Sequence, residues 1–214
     1  MSTMELANPQ TARQSKPDLM LRGVHHLALN TDDMAKTLDF YVRVLGMNLV
    51  HGLVTKPGAS ERAKSRGNPP FDEIRHYFFD MGGDSLLAFF ELPKDTPRAD
   101  RNSLSTMQHV AFTATPGQYD AFLQRIQDHG IEIVAGPFIS VPPATWSFYF
   151  YDPNGIRLEI CTDKSDGDSS NIDVVESCMM TREEMRGELE TLSNDADWIK
   201  TMLDSMPARE PGPN

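Results

Sequence analysis

The chain has 214 residues, with 20 Lys and Arg against 31 Asp and Glu, and a net charge of −11. That length supports one or two small domains with a real core, and the acidic balance argues against a nucleic-acid groove, which needs a basic face. No apolar run reaches the roughly 20 residues of a membrane span, and the polar start "MSTMELANPQTARQSKPD" has no apolar stretch of the secretory type.

Residues 1–21 are polar and contain proline, and they read as a flexible arm. "RGVHHLALNT" (Arg22–Thr31) alternates and is rich in strand formers, so a strand is expected. Asp32 or Asp33 then caps a helix, "MAKTLDFYVRVLGM", whose Met34, Leu38, Tyr41, Val42 and Leu45 follow helical spacing, and Gly46 is its natural stop. A strand over Asn48–Val54 follows. Thr55–Glu73 is polar, basic at its centre and rich in Gly and Pro; it reads as a long loop, and long loops in compact domains are often functional. "IRHYFFDM" and "SLLAFFEL" form a hairpin around Gly82-Gly83-Asp84.

After a linker, Pro93–Thr106, the pattern starts again. Met107–Ala114 is a strand. Pro116–Gly130 is an amphipathic helix with Tyr119, Phe122, Leu123 and Ile126 on one face, and Ile131–Phe138 is a strand. "WSFYFYD" and "IRLEI" form a second hairpin around Asp152–Gly155. The expected fold is therefore α+β, built from two tandem βαβββ modules at 22–92 and 107–162 of one domain, 22–162. Residues 163–214 begin as an acidic linker. They continue as one amphipathic helix, Thr181–Leu203, opened by a Thr181–Glu184 capping box and striped by Met185, Leu189, Leu192, Ala196, Ile199 and Leu203. This helix is expected to dock on its own domain or on a twin subunit. Cys161 and Cys178 fit no zinc spacing and are expected as reduced thiols of a cytoplasmic protein.

The repeats place chemistry at matching points. His26 in "HHLAL" and His109 in "QHVAF" lie on the first strand of each copy; Glu91 in "FFEL" and Glu159 in "RLEI" lie on the last. Residues two apart on a strand share a face. Leu27 and Leu29 should face the helix layer and His26 the opposite, concave side. By the same parity Glu159 faces away from Leu158 and Ile160. Two imidazoles and one carboxylate suit a divalent transition metal and leave positions open for substrate or oxygen. Hence His26, His109 and Glu159 are the candidate metal ligands, converging in one hollow. Glu91 is a candidate fourth, although a one-residue slip would turn it outwards.

The stretches "VHHLAL…DFYVRVLGM", "QHVAF" and "FYFYDPNGIRLEI", in this order on two repeats, resemble the vicinal oxygen chelate superfamily over about Leu21–Thr162. That superfamily includes glyoxalases, extradiol dioxygenases, fosfomycin-resistance enzymes and bleomycin-binding proteins. The resemblance implies sheets curled around a metal cleft, with the metal positions falling on His26, His109 and Glu159. It also implies a small-molecule substrate, and a homodimer, sometimes with modules exchanged between chains. "SFYFYDPNGIRLE" is similar to the extradiol signature, in which a tyrosine holds the substrate oxygen; Tyr149 matches it. The histidine expected upstream is replaced by Ser140-Val141-Pro142, and the linker Pro93–Thr106 contains no acid–base histidine. His76 is the candidate acid–base group, with His51 behind it, whereas His129 sits at a helix end, where the dipole favours it.

These readings point first to a non-heme Fe(II) extradiol-type dioxygenase, with Mn, Ni or Zn as other metals. The alternatives are a glyoxalase-type lyase or isomerase that stabilises an enediolate and a metal-free small-molecule binding protein.

Overall fold

A computed structural model of the chain describes residues 23–55, 74–141, 145–163 and 180–206. The expected arm, nearly all of the Thr55–Glu73 loop, the acidic linker beyond Asp163 and Cys178 lie outside these residues.

The first module consists of β1 (His26–Thr31), α1 (Met34–Leu38), β2 (Asn48–Thr55), β3 (Ile74–Asp80) and β4 (Leu86–Glu91). The second repeats it as β5 (Val110–Thr113), α2 (Pro116–Asp128), β6 (Ala135–Val141), β7 (Thr145–Tyr151) and β8 (Arg157–Asp163). The sheet orders match, β1-β4-β3-β2 and β5-β8-β7-β6. In each, the first and last strands pair in parallel and the others antiparallel. The two-repeat α+β architecture is therefore present as expected, as two four-stranded mixed sheets that are curled rather than closed.

Each helix begins where its side chains permit. Asp33 accepts the Lys36 amide at the start of α1, and Thr115 and Gln118 form a reciprocal capping box on α2. The expected first helix is not uniform. Beyond Leu38 the chain widens over Asp39–Val44, where the amides of Leu45 and Met47 reach back to Phe40 and Tyr41. Widening by one residue per turn lets the consecutive Phe40 and Tyr41 both turn inward, and both are buried. The turns use the glycines expected of them: Gly82 and Gly83 have φ of 90° and 63°, and Gly155 has 82°.

The helix-covered sides of the two sheets share one apolar core, from Leu29, Tyr41, Phe79 and Phe89 to Tyr119, Phe148, Phe150 and Leu158. The modules are joined there by polar links as well. Tyr41 Oη donates to Asp152 Oδ2 at 3.1 Å, Thr31 Oγ1 pairs with Asn154 Oδ1 at 2.7 Å, and Arg125 donates to the Arg43 carbonyl at 2.7 Å. Because each sheet spends its helix side on this common core, the other side of each remains open. His26, Ala28 and Asn30 are exposed on the first sheet, His109, Ala111 and Thr113 on the second.

The single tail helix expected over Thr181–Leu203 is two helices, α3 (Arg182–Leu192) and α4 (Ala196–Asp204). Ser193 is extended, with φ −154° and ψ 146°, and Asp195 accepts the amides of Asp197 and Trp198 to start α4. A competing N-cap inside an otherwise regular stripe splits the helix there. The capping box at Thr181–Glu184 is present, Ile199 and Leu203 are buried, and Leu192 is exposed.

Candidate functional site

β5 and β8 are parallel neighbours, and Ala111 lies opposite Glu159. His109 immediately precedes β5 and continues the face of Ala111. On β8 the alternation sends Leu158 and Ile160 into the core and Glu159 to the open side. His109 and Glu159 therefore converge: His109 Nε2 lies 2.9 Å from Glu159 Oε2. Glu159 is only 6% exposed, whereas the His109 side chain keeps 35% of its surface. Gln108 Oε1 sits against His109 Nδ1. A proton donated there leaves Nε2 as the edge that faces the carboxylate.

Tyr149 completes this cluster from β7, where it pairs directly with Glu159. Its ring stands edge-on to His109, with centroids 5.8 Å apart, and lies 5.9 Å from the near-parallel ring of Phe138. Arg157 lies over the same ring, its guanidinium carbon 4.1 Å from the Tyr149 ring centre. Burial first, and the neighbouring Glu159 carboxylate second, hold the Tyr149 hydroxyl above its ordinary pKa. It therefore stays a proton donor throughout the neutral range. Cys161 shares the Glu159 face, and burial together with that carboxylate pushes its thiol up to about 11, so it is a protonated thiol rather than a nucleophile.

His26 does not join this group within the chain. Among the described residues no three of His, Cys, Asp and Glu stand close enough to hold one ion. His26 lies on the open face of the first sheet, as its parity requires, with His25 Nδ1 2.9 Å from His26 Nδ1 and the Phe78 ring 5.9 Å away. His76 shares this face, stacked on Phe90 at 3.6 Å and packed on Phe78 at 4.3 Å. His51 lies 6.2 Å from the same Phe78 ring. The expectation that alternation alone would bring all three candidate ligands into one hollow thus fails within a single chain. The sheets meet through their helix sides, so the two open faces are separate.

Glu91 is on the wrong side to be a ligand beside His26. It pairs in register with Thr31, on the helix face, while His26 pairs with Leu86. There Glu91 Oε1 accepts the Met34 amide at 2.9 Å, and Oε2 pairs with Arg75 at 2.5 Å. A carboxylate at the first turn of α1 meets unpaired amides and the positive end of the helix dipole. Its role is to seat that helix.

The flanking groups Gln108, Phe138 and Arg157 were not singled out by the sequence. Arg157 alone left a signal there, because it shares Glu159's parity two residues away. The contact of Phe138 depends on how β6 pairs with β7, where the register shifts between Ala135 and Phe138.

The donors fit a divalent transition metal. An imidazole nitrogen and a carboxylate oxygen, each about 2.0–2.2 Å from one ion at a right angle, stand about 3 Å apart, which is the separation found. Two donors leave most of the coordination sphere to other groups.

Two βαβββ modules, one presenting a His–Glu pair beside a buried tyrosine on an open sheet face, define a tandem-module α+β protein. The chain belongs to the Glyoxalase/Bleomycin resistance protein/Dioxygenase superfamily, whose family model matches residues 23–160. It is 28% identical over 145 residues to the metallothiol transferase FosB of Shouchella clausii, spanning 67% of this chain and 82% of that protein. It is 26% identical over 143 residues to the uncharacterized protein YwkD of Bacillus subtilis, spanning 66% and 98%. Among solved structures, a glyoxalase/dioxygenase from Nostoc punctiforme matches with a TM-score of 0.51 and 28% identity, over 68% of this chain and 94% of that one.

Proposed function

We propose that the chain is a metal-dependent enzyme of the non-heme Fe(II) extradiol dioxygenase type, acting on a small aromatic or vicinal-oxygen substrate. The observation that carries this reading is the 2.9 Å approach of His109 Nε2 to Glu159 Oε2 beside Tyr149. His109 and Glu159 would hold the ion, Fe(II) first, with Mn, Ni or Zn as the other candidates. When bound, such an ion supplies Lewis acidity and, as iron, electrons for oxygen chemistry.

The third ligand is His26 of a second chain. One chain leaves His26 and the His109–Glu159 pair on separate open faces, and a homodimer that apposes the first face of one chain to the second face of the other joins them. The same apposition brings His76 to the cleft as its acid–base group. Tyr149, protonated in the neutral range, donates to a substrate oxygen. The exposed Phe138 ring beside Tyr149 gives an aromatic substrate an apolar surface, and burial of Glu159 keeps water from its carboxylate. The similarity to a glyoxalase/dioxygenase supports this reading. The chain would work in the cytoplasm, where Cys161 stays reduced.

A second reading is favoured by the similarity to a metallothiol transferase: a lyase, isomerase or transferase in which Glu159 acts as base or ligand on an enediolate or a vicinal-oxygen electrophile. One experiment separates the readings. Protein purified without oxygen or chelator is analysed for metals and then given catechols and, separately, a hemithioacetal. One divalent ion per chain with oxygen uptake on catechols is the expected result. Isomerisation without uptake replaces it with the second reading, and metal-free protein makes the chain a small-molecule binder.

A further inference from the structure

Three arginines converge on a cleft that the proposed reaction does not use. The cleft, about 580 Å³, lies between the linker that follows β4, the edge strand β1 and the β7–β8 turn, and Arg98, Arg101 and Arg157 all line it. In a chain of net charge −11 this is a local concentration of positive charge. The carboxylate lining it among the described residues is Asp32, and no carboxylate there forms an ion pair with any of the three arginines.

Their own contacts leave donors over. Arg98 Nη2 donates to the Pro153 carbonyl at 3.1 Å. The Arg101 guanidinium lies over the Tyr151 ring at 5.9 Å, and that of Arg157 over Tyr149 at 4.1 Å. Yet Arg101 Nη1 and Arg157 Nε are shut away from solvent with no hydrogen-bond partner. A guanidinium cannot shed its proton to escape that cost, and a buried unmatched donor on a charged group is among the more expensive features a fold can carry. Those two atoms are closed to a ligand, but three guanidinium groups without a carboxylate partner among the described residues line one cleft, and their remaining N–H groups call for a ligand that supplies oxygen acceptors and negative charge. Ser105 lines the same cleft and adds a neutral hydroxyl.

We infer that this cleft is a binding site for a small oxyanion of the carboxylate or phosphate type, held by Arg98, Arg101 and Arg157. The paired oxygens of such a group match the guanidinium fork. Arg157 also ties the cleft to the candidate reaction centre, since it rests on Tyr149 and precedes Glu159 by two residues on the same face.

The test is calorimetric titration with inorganic phosphate, and in parallel with succinate, on the protein as purified and on protein stripped of metal and freed of chelator. Expected is saturable binding of at least one of the two anions, with the same affinity in both preparations; which anion binds more tightly names the source. The double change Arg98→Met/Arg101→Met should weaken binding at least tenfold. Arg43→Met, whose guanidinium sits on Asp39 at 2.7 Å, should leave it unchanged. Arg101→Lys, which keeps the charge and loses the fork, should fall between. The inference is overturned if the wild type binds neither anion, if the double variant binds as the wild type does, or if binding requires the metal. Should the double variant fail to fold, Arg98→Met alone decides, because that side chain is exposed: unchanged affinity rejects the site, and a clear loss upholds it.

Discussion

Ala88 in the first module and Glu159 in the second occupy the same place in their sheets. Ala88 pairs with Ala28, two residues after His26; Glu159 pairs with Ala111, two residues after His109. The repeat is thus symmetric in backbone and asymmetric in chemistry: each module offers a histidine, and only the second offers the carboxylate. A dimer of such chains has carboxylates for one ion per chain, not two. Elemental analysis should therefore find about one divalent ion per chain, since a full site needs its charge-compensating acid. His109→Ala or Glu159→Gln should leave less than about a tenth of that occupancy, because each removes one of the two donors that already converge. Full occupancy after either change would falsify the assignment.

Sharing of ligands between chains makes a stricter prediction. His26→Ala and Glu159→Gln should each abolish tight metal binding. A heterodimer of the two variants, however, regains one intact site, built from the unaltered His26 of one chain and the unaltered His109–Glu159 pair of the other. Random remixing of the two variants, after mild dissociation, should restore about a quarter of wild-type occupancy, since half the dimers are mixed and each has one good site of two. No recovery on mixing, with both variants folded and dimeric, rejects the shared site.

The contact between Tyr41 and Asp152 ties the modules together, and its stability effect has a defined sign with pH. Both groups are held above their ordinary pKa values, with burial as the leading cause in each. For Tyr41, whose folded value is raised above 10, the hydrogen-bonded phenol contributes fully below pH 10 and is lost as the pH rises through the folded value. Tyr41→Phe keeps the ring and removes one donor from the buried Asp152 carboxylate, at a cost of roughly 1–3 kcal/mol near neutral pH. Asp152 retains the amides of Asn154 and Ile156. Urea unfolding followed from pH 7 upward should show the variant less stable at pH 7 and less sensitive to alkali above pH 10. Equal alkaline slopes would show that Tyr41 does not carry the effect.

Much of this was legible because strand alternation is local. The parity of "VHHLAL" puts His26 opposite Leu27 and Leu29, and that of "IRLEI" puts Glu159 opposite Leu158 and Ile160; the core contains Leu29, Leu158 and Ile160, with Leu27 packed against it. Glu91 was ambiguous because "FFEL" and "RLEI" look alike at their ends, whereas the sheets align Ala88 with Glu159 and place Glu91 beside Thr31. Register is a long-range property, set by which β1 residue a β4 residue meets, and no short window contains it. The separation of His26 from His109 was illegible for a similar reason. It depends on Tyr41 and Phe40 meeting Asp152 and Phe150 across the module boundary. The break in the tail turns on Asp195, whose side chain competes for amides that a continuous helix would have used.

Backbone crowding at Gly136 gives a prediction independent of any chemistry. Gly136 has φ +85°, and a Cβ there would meet the Ser147 carbonyl at 2.4 Å and Phe148 Cα at 2.9 Å. Both are backbone atoms of the central strand β7, so a side chain cannot simply be pushed aside. Gly136→Ala should destabilise the protein by at least about 2 kcal/mol, from overpacking together with left-handed backbone strain. Gly117→Ala, at a position with nothing within 4 Å of the new Cβ, is the control and should unfold at the wild-type temperature or slightly above it. Similar melting temperatures for the two variants would contradict the close approach of β6 to β7.

A change at Tyr149 distinguishes the proposed metal binding from the proposed substrate contact. Its hydroxyl is not needed by His109 or Glu159 to converge, since they are positioned by β5 and β8 and touch each other directly. Tyr149→Phe keeps the ring that packs on Phe138 and carries Arg157. Metal content should therefore match the wild type. Turnover should not: the loss of one hydrogen bond to a substrate oxygen that gains charge costs about 1.5–3 kcal/mol, or roughly ten- to a hundred-fold in kcat/KM. Oxygen uptake with catechol as test substrate provides the measurement, with metal analysis on the same sample. The raised pKa of the phenol adds a second readout, because a donor that stays protonated should produce no loss of activity between pH 7 and 9 from its own ionisation. If Tyr149→Phe turns over as the wild type does, the tyrosine is a wall of the cleft and not a substrate ligand; if it loses its metal as well, its hydroxyl supports the Glu159 carboxylate rather than the substrate.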